Sequence, residues 1–501
     1  MENTQNYMMS MEESLLSIKK IKNDEHHFIL WDEFIEEAKR LGYIAAPMMA
    51  VNLSLFLINV VSMMMVGHLG ELALSSSAIA VSLSSVTGFS VLSGMACALE
   101  TLCGQAYGAE QYRKLGNQTY SAIFSLILVA SGVSIIWMNM EKLLILIGQD
   151  PIIAHEAANF IRLLVPALFA YAIFQPIARY YQTQSLTTPM LITTLVTLSF
   201  HIPLSWILVF ESRLGNLGGA LAISVSNWLN VVFLVLYMRY SSACAKTRVP
   251  VSMEVFQGVG EFFRFAIPSV VMICLQWWSY EIVILLSGLL PNPQLETSVL
   301  SVCLTTIATL FALPYGLSAA VSTRVSNELG AGNPKAARNA AYSVMFITAA
   351  ELILVSVTLF ATQHVFGYTF SDEKEVVDAV SSMAPLICLS VIIDGLQGIF
   401  SGVARGCGWQ HIGAYVNLGA LYLCGVPAAA ILGFWFDLRG RGLWIGIQIG
   451  ALLQTLLLFI ITSRTNWDKQ ARMASERLFE RKSSVENLLM INQHQILLSF
   501  G

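Results

Sequence analysis

Twelve apolar runs, each long enough to cross a bilayer, constrain this chain more than any other feature. A membrane-spanning helix needs about 20 mostly apolar residues. Cut by charge clusters and by Gly, Pro and Asn, the runs lie near 43–66, 73–98, 119–146, 156–182, 187–210, 217–239, 264–290, 297–321, 339–366, 378–403, 412–436 and 443–463. Only 12% of the 501 residues are charged, whereas a soluble domain carries about 25%. That is too little charge to coat the several soluble domains such a length would otherwise form. The chain reads as an all-α polytopic membrane protein with twelve transmembrane helices.

Other classes are excluded by what the sequence lacks. A net charge of -4 gives no basic footprint for nucleic acid. The eight cysteines form no CxxC or Cys-His spacing and mostly sit in apolar runs, so neither a disulfide framework nor a metal site is expected. The first 30 residues are polar and acidic, without the apolar core of a signal peptide. Gly330-Ala331-Gly332-Asn333-Pro334-Lys335 mimics a phosphate loop but lacks its Gly-Lys-Ser/Thr ending and a flanking strand. No cofactor and no ATP are expected, which leaves secondary transport.

Basic residues set the orientation. All but six of the 28 Lys and Arg fall in the two tails and in the loops near 113, 179, 246, 335 and 405, which an even number of spans puts on one side. The six exceptions are Lys142, Arg162, Arg213, Lys374, Arg439 and Arg441. Both termini are therefore expected in the cytosol, with the acidic run Asp372, Glu373, Glu375 and Asp378 outside or in a lumen. On this topology the sequons at Asn52 and Asn117 are not glycosylated. The C-terminal tail, with Arg472, Glu476, Arg477 and Glu480, reads as solvated or lying on the surface.

The chain repeats itself. At a shift of 222, Gly108-Ala109 meets Gly330-Ala331, Asn117 meets Asn339, and Tyr120-Ser121 meets Tyr342-Ser343. At nearby shifts Pro47 meets Pro268 and Pro166 meets Pro385. Six spans per half make both copies enter from the same side, a parallel repeat about an axis along the membrane normal. The expected plan is a tail over 1–40, a lobe over 41–240, a cytosolic linker over 241–261, a second lobe over 262–465 and a tail over 466–501, as two pseudo-symmetric six-helix bundles facing a cleft.

The motifs carry a resemblance. Met65-Val66-Gly67-His68-Leu69-Gly70-Glu71, Ser85-Val86-Thr87-Gly88-Phe89-Ser90 and Ala98-Leu99-Glu100-Thr101-Leu102-Cys103-Gly104-Gln105-Ala106-Tyr107-Gly108-Ala109 stand in the first half. Trp278-Ser279-Tyr280-Glu281, Arg324-Val325-Ser326-Asn327-Glu328-Leu329-Gly330-Ala331-Gly332 and Gly402-Val403-Ala404-Arg405-Gly406-Cys407-Gly408-Trp409-Gln410 stand in the second. In order and spacing, over about residues 35–465, this set resembles multidrug and toxic compound extrusion (MATE) transporters of the plant detoxification type. The resemblance implies a V-shaped fold with a central cavity and an antiporter that expels organic compounds in exchange for a cation, in eukaryotes usually H+. It also implies coupling carboxylates on the seventh and tenth spans, at Glu281 and Asp394. The aspartate that bacterial relatives carry in the first span is replaced here by Ser62, and the repeat mate of Asp394 is Gln175, so coupling is expected in the second lobe.

Ionisable groups at membrane depth point to function without any family, since placing one there costs several kcal/mol. Asp394, Glu281 and Glu351 are such groups. Low dielectric disfavours the charged form of a carboxyl, so one can exchange a proton for a cationic substrate. The competing reading for each is a hydrogen-bonding anchor for a neighbouring helix; Glu351, with Asn52 as a polar but non-titrating group, is a further proton or hydrogen-bond site. Glu100, at a span end, is expected to anchor a loop or gate. Trp277, Tyr280 and Glu281 share a helical face suited to a planar cation, Phe174, Gln175, Tyr181 and Gln182 are expected on the opposite wall, and Tyr315 beside them. Ordinary helix-packing aromatics are the alternative. Pro47, Pro268, Pro314 and Pro385 mark expected kinks at gating positions.

The expected partners are small organic substrates and the lipid bilayer, for a monomer in a plasma or vacuolar membrane. Other readings stay open: a lipid or glycan flippase, which needs a cavity rich in Arg and Lys where no clear basic residue lies mid-span; a membrane enzyme, which needs a clustered site where the histidines are scattered; and a channel.

Overall fold

The computed structural model describes residues 31–363 and 374–478, and the apolar runs in them are helices. In chain order these are α1 (Trp31–Gly67), α2 (Glu71–Gly108), α3 (Tyr112–Met138), α4 (Pro151–Thr183), α5 (Thr187–Glu211) and α6 (Asn216–Tyr240). There follow α7 (Glu254–Ser287), α8 (Pro293–Leu310 and Ala312–Gly330), α9 (Pro334–Ala361), α10 (Lys374–Cys407), α11 (Gln410–Trp435) and α12 (Arg439–Ser463). The described residues contain no strand.

Several helices outrun their apolar stretches. α1 begins at Trp31 and α7 at Glu254, because charged turns outside the lipid are held by partners. Glu37 of α1 takes a two-pronged bond from Arg324 of α8 at 2.8 and 3.1 Å. Glu254 accepts from Arg113 and Asn117 of α3 at 2.5 and 2.6 Å. Part of the expected linker is thus the docked start of α7. Of the four prolines expected to kink, Pro314 lies just past a sharp break, where the halves of α8 meet at 43°. A proline at 314 has no N–H for the Leu310 carbonyl and crowds it. Pro47, Pro268 and Pro385 sit inside helices that continue past them.

The helices pair twice in the same way. In the first lobe α4 packs on α6 and α3, and α1 on α5; in the second α10 packs on α12 and α9, and α7 on α11. Between lobes α1 crosses α8 and α2 crosses α7. Two six-helix bundles related by pseudo-symmetry is therefore the architecture.

The lobes meet at the end of the bundle that carries the chain's tails. Small residues are needed there. A Cβ on Gly94 of α2 would lie 2.9 Å from the Val270 backbone of α7, and one on Gly316 of α8 would lie 2.8 Å from the Ala45 carbonyl oxygen of α1. These glycines are 222 positions apart. Nearer the tails, a Cβ on Gly108 would collide with the Asn327 backbone and one on Gly330 with the Gln105 backbone, so α2 and α8 cross almost in backbone contact. The repeated Gly-Ala of the sequence marks this crossing.

Of the two expected readings of the C-terminal tail, its described part, residues 467–478, takes the surface-lying one. Residues 467–478 are helical and bury Trp467, Ala471, Ala474 and Leu478. Arg477 donates to the Gln105 side chain of the first lobe and to the Cys407 carbonyl of the second, both at 3.2 Å. Burial holds the Arg477 guanidinium below the ordinary arginine range. Glu480, Asp372 and Glu373 lie outside the described residues.

Candidate functional site: two joined cavities and a charged floor

Beyond the seam, on the side away from the tails, the lobes enclose a central cavity of about 400 Å³. Asn52 and Asn59 of α1, Phe174, Gln175 and Arg179 of α4, and Trp277 and Tyr315 of the second lobe contribute to its wall. On the α2 side Ser85–Phe89 widen into a π-helical turn. Gly88 there gives Trp137 room to pack, and the Trp137 indole N–H donates to Thr87 at 2.9 Å. Such turns re-aim side chains and recur at functional sites.

A second cavity of about 110 Å³ runs into the second lobe between α7, α8 and α10. Asp394, 4% exposed, stands at its wall. The Tyr280 hydroxyl donates to Asp394 Oδ2 at 2.6 Å, and Gln448 of α12 donates to the Tyr280 oxygen at 3.4 Å. Asp394 Oδ1 is buried without a hydrogen bond among the described residues. The carboxylate is thus half satisfied and beside an open space, the arrangement a group needs if it is to gain and lose a proton.

The other two expected carboxylates lie elsewhere. Glu281 is half-buried, faces neither cavity and makes no hydrogen bond or ion pair among the described residues. It neighbours Tyr280 in sequence, but the turn of the helix sends only Tyr280 to Asp394. Both oxygens of Glu351 are buried on α9 without a hydrogen bond, outside both cavities.

Tyr181 and Gln182 do not line the expected wall. They lie on the same helical face as Phe174 and Gln175, but two turns nearer the tails, roughly 10 Å along the axis, past the point where the lobes close. Tyr181 donates to the Leu234 carbonyl at 2.7 Å. Gln182 ties the lobes, donating to the Ala319 carbonyl at 3.1 Å.

At the floor of both cavities Glu100 binds two arginines. Its Oε1 meets Arg179 Nη1 at 2.9 Å, and its Oε2 meets Arg405 Nε at 2.7 Å and the Ser322 hydroxyl at 2.5 Å. Glu100, Arg179 and Arg405 are 1%, 3% and 6% exposed. Arg179 shares the first lobe with Glu100, whereas Arg405 and Ser322 belong to the second. Glu100 and Ser322 are repeat mates, so the pseudo-symmetry axis passes close to this carboxylate. The sequence shows no clear basic residue mid-span, and the two basic residues at the cavities stand near span ends: Arg179 of α4 lines both cavities and Arg405 of α10 the smaller. At span ends they pass for loop charges, and only the carboxylate supplied by another helix lets them be buried. The signal available was Glu100 itself, a carboxylate inside the otherwise neutral stretch from Ser90 to Ala109.

In the first lobe Ser62 faces His201, with the Ser62 oxygen 3.1 Å from Nε2, while Ser226 lies 2.8 Å from Nδ1. The position thus holds a Ser–His–Ser hydrogen-bonded network in place of a carboxylate.

Twelve helices in two pseudo-symmetric bundles around an inter-lobe cavity define a polytopic carrier. The MatE family model matches residues 47–207 and again 268–431, once in each lobe. The chain belongs to this family and is a multi-pass membrane transporter. It is 58% identical over 464 residues to Protein DETOXIFICATION 12 of Arabidopsis thaliana, covering 93% of this chain and 96% of that one. Protein DETOXIFICATION 14 of the same plant is 56% identical over 483 residues, with 96% and 99% covered. The crystal structure of the eukaryotic MATE transporter AtDTX14 superposes with a TM-score of 0.86 at 58% identity, over 89% of this chain and 99% of that one. An outward-facing multidrug resistance MATE family transporter of the MOP superfamily shares the fold, with a TM-score of 0.77 at 14% identity, over 88% and 97%.

Proposed function

We propose that this protein is an antiporter that exchanges protons for organic compounds, with coupling in the second lobe at Asp394 and Glu281. The observation that carries the reading is Asp394: a buried carboxylate with one donor, one bare oxygen and a cavity in front of it. Protonation removes the cost of holding its charge in low dielectric, and deprotonation readies it for a cation. Glu281, on the helix that carries Tyr280, is the second titrating group, and Glu351 is a third buried carboxyl on α9. The central cavity holds the substrate between aromatic faces, Phe174 and Trp277, and amides, Asn52 and Gln175.

With both tails in the cytosol, the seam closes the cytosolic end and the central cavity lies on the outer side. Rocking the lobes about the α2–α8 crossing would part Arg405 from Glu100 while Arg179, in the same lobe, keeps the carboxylate neutralised. Alternating access then needs no unpaired buried acid. We assign the protein to a plasma or vacuolar membrane and read it as a working monomer that needs neither ATP nor a bound cofactor.

Efflux from proteoliposomes under an imposed pH gradient tests this. Wild-type transport should follow the gradient, and Asp394→Asn and Glu281→Gln should each uncouple it. Transport that ignores the gradient, or survives both substitutions, refutes the assignment.

A further inference from the structure

The charges at the cavity floor do not balance. Two guanidinium groups, Arg179 and Arg405, face a single carboxylate, Glu100, and all three are more than nine-tenths buried. A half-buried cation of the seam, Arg324, is answered separately by Glu37 and Glu328. The next charge along the wall of the smaller cavity is Asp394, eleven residues before Arg405 on α10, roughly 16 Å along the axis. The floor therefore keeps one excess positive charge in a low-dielectric place, where an uncompensated charge is costly.

The excess lies with Arg179. Arg405 spends Nε on Glu100 and Nη2 on the Ser318 hydroxyl at 2.9 Å. Arg179 gives Nη1 to Glu100 and Gln182, and Nη2 to the Tyr315 oxygen at 3.1 Å. Its Nε is buried with no acceptor among the described residues. Arg179 and Tyr315 line both cavities, together with Ser93, Trp277 and Phe311, so they frame the junction between the two. Tyr315 accepts from Arg179 and keeps its own O–H free to donate.

We infer that the junction between the two cavities is a binding site for a monovalent anion, a halide ion or the carboxylate of an aromatic acid, held by Arg179 and Tyr315 beside the edge-to-face pair Trp277 and Phe311. The bound anion neutralises the floor. A guanidinium edge with an adjacent hydroxyl suits a carboxylate or a halide, and the aromatic wall made by Trp277 and Phe311 suits the body of an aromatic acid. Where the anion is an organic acid, the inference rests on the exporter reading above and widens its substrates beyond cations. Where it is a halide, the site stands apart from transport.

The test is equilibrium binding to the purified full-length protein, with no gradient imposed. Tryptophan fluorescence and thermal unfolding are followed as sodium gluconate is exchanged, at constant ionic strength, for sodium chloride in one arm and sodium benzoate in the other. Saturable binding in either arm is expected, and the arm that saturates at lower concentration names the source. Arg179→Gln leaves the Glu100–Arg405 pair neutral and should weaken binding about tenfold or more, the worth of one hydrogen-bonded charge. Arg179→Lys should retain part of it. Glu100→Gln raises the excess charge, so the anion should stabilise that variant against heat more than it does the wild type. A purely structural cluster would change melting in all three variants but leave the anion response the same in each. That result, or no saturable response in either arm, overturns the inference. If Asp394→Asn abolishes gradient-driven efflux while anion binding persists, the two proposals stand separately; loss of anion binding with intact coupled efflux sinks only this one.

Discussion

Glu100, beneath the joined cavities, and Asp394, on the wall of the smaller one, are both buried carboxylates, and their surroundings could hardly differ more. Glu100 receives two guanidinium groups and a hydroxyl, from both lobes. Asp394 receives one tyrosine hydroxyl and leaves an oxygen bare. A carboxylate so heavily partnered stays ionised and fastens helices together. One that is barely partnered gains little from its charge and can exchange it for a proton. The first lobe ties its buried acid into the seam, and the second leaves its acid open to the proton exchange proposed above.

The comparison can be broken by stability measurements. Glu100→Gln leaves two buried guanidinium groups without their counter-charge, and we expect a loss of about 3–5 kcal/mol in unfolding of the solubilised protein in gluconate buffer. Next in size is the seam. Gly108→Val forces α2 off the Asn327 backbone and should cost about 1–3 kcal/mol by overpacking, seen in the same unfolding curves. Asp394→Asn removes a charge that has one donor, so its stability should change by less than about 1 kcal/mol while gradient-driven transport is lost. If Asp394→Asn unfolds the protein and Glu100→Gln does not, the roles are reversed.

The smallest effect lies outside the membrane. His155 lies 3.1 Å from Glu141 and Arg162 donates to it at 3.3 Å, in the short helix Met140–Leu146 and the start of α4. The hydrogen bond with His155, aided by Arg162, holds the Glu141 carboxyl below its ordinary range. A depressed carboxyl stabilises the fold above the unfolded value, about pH 4.3, and that contribution is lost as pH falls through the folded value. His155→Ala should therefore flatten, slightly, the fall in melting temperature between about pH 5 and pH 3.

Much of this was legible in the sequence, for identifiable reasons. Lipid demands apolar runs of fixed length, so the spans could be counted, and the lobes close through glycines, so Gly108 and Gly330 showed the repeat. Asp394 stands out because nothing else between Ala379 and Ala404 is charged. The limits were equally physical. Helical periodicity gives a face but not a depth, which is why Tyr181 and Gln182 were placed on a cavity wall they lie beneath. Arg179 and Arg405 adjoin loops, and their burial depends on Glu100 arriving from another helix. Periodicity likewise grouped Glu281 with Tyr280, and only packing shows that the two diverge.

The central claim, that Asp394 carries a proton which substrate displaces, is tested most directly by following pH in weakly buffered, purified protein as a cationic substrate is added. The account predicts proton release from the wild type that saturates with substrate binding and is absent in Asp394→Asn, although the variant remains folded. Equal release from wild type and Asp394→Asn, or substrate binding with no release from either, would contradict it.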